Sequence, residues 1–146
     1  MEFMVMVQGR PAGVCTVEEQ GLYWKLECAF DHPPAEGVRL FLCGRSLGLA
    51  ERTGERWQLL RRVSKVSFPE LSTPGESVLA LKPSAERVQI LDYILEGYLE
   101  QSSQGGVFRA PCLADAPHPC MGLFCFFSVE NGFWTLRLDN NRRPVF

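Results

Sequence analysis

The sequence contains no P-loop, no G-x-G-x-x-G fingerprint and no H-E-x-x-H pair, and it has only two histidines in 146 residues. These absences remove nucleotide cradles of the usual kind and zincin-type hydrolysis. His32 and His118 both stand beside prolines, and no paired-carboxylate motif accompanies them, so acid–base chemistry has no visible constellation. Six cysteines occur without a single C-x-x-C spacing, which argues against a zinc knuckle or a thioredoxin-type redox site. Charge of one sign is also missing. A net charge of −2 gives no global field to hold the chain on nucleic acid or an anionic membrane. The most apolar stretch, Met121 to Val129, is less than half the ~20 residues a spanning helix needs. Glu2 stands where a secretory leader carries Lys or Arg. The expectation is a cytoplasmic protein with no metal, no cofactor, no nucleic-acid partner and no membrane partner. Its cysteines should then remain thiols, with Cys15, Cys28, Cys43 and Cys125 acting as small hydrophobes in apolar runs.

What the sequence does have is strand signal. Glu2 to Gln8 is β-branched and Met-rich, and Val14 to Glu19 turns at Gln20-Gly21 into Leu22 to Cys28. A two-residue turn there pairs Val17 with Trp24 and Cys15 with Leu26 on an apolar face. Val38 to Cys43 continues the pattern, followed by short strands at Ser46 to Ala50, Trp57 to Val63 and Ser77 to Lys82. Turn-rich segments at 52–55 and 72–75 separate them. Short strands at this spacing predict a small barrel or sandwich.

From Ala85 to Glu100 the reading changes to an amphipathic helix. Ser84 serves as N-cap, and Val88, Leu91, Leu95 and Tyr98 form one stripe. Gly97 is unfavourable in such a helix by ~1 kcal/mol. Residues 101–106 read as a flexible linker. The strongest local signal is Asn131-Gly132 between apolar runs, the signature of a type I′ hairpin. With Met121 to Val129 as its first strand, it pairs Val129 with Trp134, Phe127 with Leu136 and Cys125 with Leu138 on one face, and Glu130 with Phe133, Ser128 with Thr135, Phe126 with Arg137 and Phe124 with Asp139 on the other. The fold expected is mainly β (α+β): an antiparallel β-barrel or sandwich with one helix and a C-terminal hairpin. It forms a single domain over 1–146, β-rich through 82, with helix and hairpin from 83.

Gly13 to Trp24, the Arg39-Leu40-Phe41 strand and the Ser46-Leu47-Gly48-Leu49 turn resemble a group of small proteins from clostridia-type bacteria to which no function is assigned. The likeness covers about the first half of the chain. It implies a fold and bacterial origin, and it brings no residue roles.

Three constellations carry possible chemistry. Gly44-Arg45-Ser46-Leu47-Gly48 matches G-x-S-x-G, whose physics requires a strand, a sharp turn and then a helix. Ser46 with Asp92 or Asp115 and His118 would meet the triad order of a small serine hydrolase, but Gly54 argues against the helix. No catalytic residue is therefore assigned; Ser46 and His118 are the only candidates. Cys112, His118, Cys120 and Cys125 lie close together, yet the first two ligands are six apart in a proline-rich loop, so no metal site is assigned. Arg52, Arg56, Arg61, Arg62 and Lys65 surround Trp57, a pattern read as a solvated face.

The remaining lead is aromatic excess. Phe124, Phe126 and Phe133, with Arg137, fall on the second face of the C-terminal hairpin. Large rings on an outer face require cover. The expectation is an interaction module that binds a protein partner or forms a homodimer through these four residues.

Overall fold

The computed structural model describes residues 1–72, 75–102, 105–113 and 117–145. The chain divides into two compact units, Met1–Pro83 and Ser84–Phe146.

The first unit is a closed barrel of seven strands: β1 (Glu2–Val7), β2 (Arg10–Gln20), β3 (Tyr23–Phe30), β4 (Val38–Leu42), β5 (Arg45–Thr53), β6 (Arg56–Ser64) and β7 (Val78–Leu81), in the order β1-β2-β3-β6-β5-β4-β7. Period-2 alternation builds it, because inward residues such as Phe3, Val5, Leu26 and Phe30 are buried while their neighbours lie nearer the surface; β4 and β7 depart from this, with Phe41, Leu79 and Leu81 buried as well. The barrel is not wholly antiparallel. It closes through a parallel pair, Val5 with Val78 and Met6 with Leu79, which removes the free edges of an open sheet.

The first hairpin is present, but its register is two residues from the expected one. Gly21 and Leu22 are the central residues, with Gly21 at φ 60°, so Val17 pairs with Leu26 and Cys15 with Cys28. A glycine at the first central position is what a type II′ turn uses. A shift of two preserves which side chains face inward. It also brings two interior cysteines face to face with Cα atoms 3.9 Å apart, and they form a disulfide. The expectation of six thiols is corrected to a staple joining β2 and β3 and four free cysteines. Closing a loop of 13 residues removes chain entropy from the unfolded state, worth about 3 kcal/mol in the simplest account.

The second unit departs further from expectation. No helix spans 85–100. That segment is the hairpin β8 (Glu86–Ile90) and β9 (Tyr93–Ser102), turning at Leu91 with φ 54°. Val88 pairs with Leu95 and Ile90 with Tyr93, so Val88, Ile90 and Leu95 share one buried face, while Tyr98 is buried on the other. Leu91, which the helical stripe required inside, lies exposed at the turn. Gly97 finds its reason here: a Cβ would collide with the Arg109 carbonyl and the Phe108 ring of the neighbouring strand. The expected linker is the junction of β9 with β10 (Gly105–Pro111); residues 103 and 104 fall outside the described residues.

β11 (Phe127–Glu130) and β12 (Phe133–Leu138) form the C-terminal hairpin in the expected register, with Asn131 at φ 53° and Gly132 at φ 78°. Residues Met121–Phe126, read as its first strand, are 3-10 turns instead. The sheet order is β11-β12-β10-β9-β8, with β13 (Pro144–Val145) beside β12. One face carries Val88, Ile90, Leu95, Phe108, Leu136 and Leu138, and Leu123 closes over it. A 3-10 segment thus supplies the lid over this face.

Candidate functional site

The lid is the described stretch 117–126, ending in the 3-10 turns, with Cys112 anchored at the end of β10. Pro117 and Pro119 fix φ along it and withhold donors that the segment would otherwise have to satisfy. The Cys112 amide donates to the Gly132 carbonyl at 2.9 Å, tying the end of β10 to the hairpin turn. The Leu123 amide donates to Cys120 O at 3.2 Å, and the Phe127 amide to Phe124 O, which ends the 3-10 turns at the first residue of β11.

His118, itself on the lid, lies in an aromatic box between the lid and the hairpin. Its ring centroid is 4.6 Å from Trp134, 4.7 Å from Phe127 and 5.2 Å from Phe124, and Phe124 in turn lies 6.2 Å from Trp134. Nδ1 accepts the Cys120 amide at 2.9 Å, which places the proton of the neutral ring on Nε2. Nε2 is buried without a hydrogen-bond partner among the described residues. Burial pushes the imidazole below its ordinary pKa. With Nδ1 occupied and Nε2 carrying the proton, no lone pair is left to take a proton from a substrate. In this arrangement His118 is an aromatic plate, not a base.

Phe124 covers the box and remains 52% exposed. Met121, on the same turn, is 71% exposed, and Val129, paired with Trp134 on β11–β12, is 54% exposed. The Tyr93 ring lies against Gly122, where any Cβ would collide with it. Tyr93, Met121, Phe124 and Val129 therefore line one apolar strip across the lid. Isolated exposed hydrophobes are ordinary, but a contiguous strip marks an interaction surface.

The four residues expected on one surface do not share it. Phe124 is on the exposed strip, and Phe126 packs half-buried against the sheet core. Phe133 is 0% exposed, edge-on to Tyr98 at 6.4 Å. Arg137 lies on the far face in a bidentate pair with Glu130, at 2.6 and 2.9 Å. Ser128 Oγ adds a further bond of 2.9 Å, and these contacts hold the Glu130 carboxyl down to about 2, Arg137 contributing most. Arg109 and Glu100 form a second ion pair on that face, largely out of water.

Ser46 is not on a nucleophile elbow. Cys43 and Gly44, at φ 50° and 80°, turn β4 directly into β5, and Ser46 is a strand residue. Its Oγ accepts from Arg39 Nη1 at 2.9 Å, and a guanidinium cannot remove a proton. Ser46 and His118 belong to different units. Asp92 sits in the β8–β9 turn, and Asp115 lies outside the described residues. Among the described residues no cluster of His, Cys, Asp and Glu is arranged to hold a metal, and Cys125 is exposed on the 3-10 segment rather than on an apolar strand face. The basic stretch is engaged within the barrel: Arg56 pairs with Asp31 at 3.3 Å, Lys65 with Glu19, and Arg62 lies 5.2 Å from the Tyr23 ring.

Sequence reasoning missed Tyr93 and Met121. The first was hidden by the helical reading, and the second by treating 121–126 as strand. Trp134 carried a visible signal, being placed on the same face as Val129 and Phe127 by the Asn-Gly register.

Acid should act on this unit in two steps. An imidazole whose folded pKa lies below its unfolded value contributes stability that is complete above about pH 6.5 and falls as pH drops through that value. The Glu130 contribution is present above its ordinary value of 4.5 and is lost as pH falls to about 2. Urea titrations across pH should show both steps, with His118→Leu removing the upper one alone. An unchanged upper step in that variant contradicts the assignment.

No family model, curated protein or solved structure matches the chain.

Proposed function

We propose that this chain is a non-enzymatic protein-interaction module whose contact surface is the aromatic strip on the lid of its second unit. The observation that carries this reading is Phe124, a large ring held half out of water over a fixed aromatic base, with Met121 and Val129 exposed beside it. An anchor of this kind loses little conformational freedom on binding, because its support is already in place. Phe126 packs beneath the surface against the sheet core; Phe133, and Arg137 committed to Glu130, stand on the opposite face of β12. The partner is a protein with an apolar pocket or groove, or a second copy of the strip.

The test is Phe124→Asp. An exposed position tolerates the change, so unfolding free energy should move by no more than about 0.5 kcal/mol. Self-association by sedimentation, or recovery of the native complex, should weaken by about tenfold or more, as for a binding hot spot. A folded Phe124→Asp protein that assembles like the wild type rejects the surface.

A further inference from the structure

His118 holds the lid through a bond that only its neutral ring makes. Nδ1 accepts the Cys120 amide at 2.9 Å, and Cys120 is the residue that leads into the 3-10 turns of Met121–Phe126. The Cys120 carbonyl in turn accepts the Leu123 amide, closing the first of those turns. Cys120 makes no side-chain cap bond, so the imidazole two residues upstream is what fixes the entry to the turn.

A proton on Nδ1 reverses this arrangement. Both ring nitrogens become donors, and the new N–H points at the N–H of Cys120. Nε2 is already buried with no acceptor among the described residues. The rings of Phe124, Phe127 and Trp134 attract a cation, yet they offer no lone pair to either N–H and leave the opposed donors in place. No carboxylate is at hand to compensate. Residues 117–126 carry no charged side chain, and their other titratable groups are the thiols of Cys120 and Cys125. Glu130 of β11 and Arg137 of β12 are joined on the opposite face of the sheet, and β9 meets the lid through the Tyr93 phenol at Gly122. Burial acts in the same direction, holding the imidazole below its ordinary pKa.

We propose that His118 is a proton switch for the lid: neutral, it pins the 3-10 turns over the sheet; protonated, it leaves Cys120, and the turns lift away with Met121 and Phe124. The ring takes its proton from solvent and returns it when the pH rises, with no other covalent change. The sheet beneath stays closed, because its strands carry their own ladders. The switch rests on the reading of the strip as a contact surface for its use: it presents that surface near neutral pH and dismantles it in mild acid.

The test uses the full chain without any partner. Imidazole NMR follows protonation of His118, identified by the signal lost in His118→Asn, and amide exchange follows the lid. Between about pH 7.5 and about pH 5 the amides of Leu123 and Phe127, donors of the two turn bonds, should lose protection relative to intrinsic rates, in step with the ring. Amides in the β9–β10–β12 ladders should keep theirs. Asparagine places an acceptor near the position of Nδ1 that takes no proton, so His118→Asn should keep the lid protected at both pH values. The wild-type titration decides by itself if that variant does not fold. Protection of Leu123 and Phe127 that ignores pH overturns the proposal, as does a His118 that titrates above 6.5 with the lid closed. Loss of protection that persists in His118→Asn, or that spreads to the ladders at the same pH, overturns it too. A lid that opens with His118 in a chain that assembles with nothing at neutral pH supports the switch and rejects the strip.

Discussion

Replacing Phe133 by alanine should cost the second unit about 3–5 kcal/mol, the range for deleting a fully buried aromatic ring. The ring is wholly shielded on β12, and it meets Tyr98 of β9 edge to face, an arrangement that adds about 0.5–1.5 kcal/mol beyond area alone. Thr135, two residues on and on the same face, is also buried, and Leu136 and Leu138 are buried on the other, so both faces of this strand are packed and the lost volume has little room to be refilled. Urea unfolding monitored by tryptophan fluorescence measures the change. A loss below about 1 kcal/mol would mean that Phe133 is at the surface, as the hairpin pattern alone suggested. The contrast with Phe124 is the useful part: two phenylalanines near one turn, one whose removal unfolds and one whose removal unbinds.

Gly97→Ala gives the second large effect, and its sign separates two architectures. Within a helix over 85–100 the substitution would stabilise by about 1 kcal/mol. On β9 the new methyl group meets the Arg109 carbonyl and the Phe108 ring, one of the largest fully buried side chains, so the strands must part or the ring must turn. Overpacking of this kind costs about 1–3 kcal/mol. Thermal unfolding of the variant should therefore fall below the wild type. A rise would restore the helix and remove the sheet on which the lid is built.

Local chemistry explains which elements were legible. Asn131-Gly132 gave the turn type and the four cross-strand pairs nearest it, because few residues tolerate positive φ at two successive positions, but the three pairs expected beyond Phe127 are absent because 121–126 is 3-10. Gly21 marked the first hairpin, but a single glycine can occupy either central position, and the choice moved the register by two. That shift hid the Cys15–Cys28 pair, although both residues were correctly assigned to the interior. The barrel strands followed from alternation. Their closure through the parallel β1–β7 pair did not, because it joins residues more than seventy positions apart with no local mark.

The helix reading failed for a related reason. Val88, Leu91, Leu95 and Tyr98 fit a period of 3.6, while Val88, Ile90, Tyr93 and Leu95 fit a hairpin about Leu91-Asp92 equally well. Neither turn residue is glycine, so the breaker was silent, and β-branched Val88, Ile90 and Ile94 were the remaining indication of strand. The lid comes from a proline-rich stretch whose sequence announces only a loop. The site was legible as aromatic excess, but its geometry was not: Phe124 alone of the four expected residues stays on the exposed strip.

The most direct measurement places a benzophenone amino acid at position 124 of the full chain in its native cell, with the same group at exposed Glu55 as reference. The account predicts one discrete cross-linked species from position 124, absent from the reference and lost when Met121 is changed to Asp. A diffuse smear, or identical products from both positions, would contradict it.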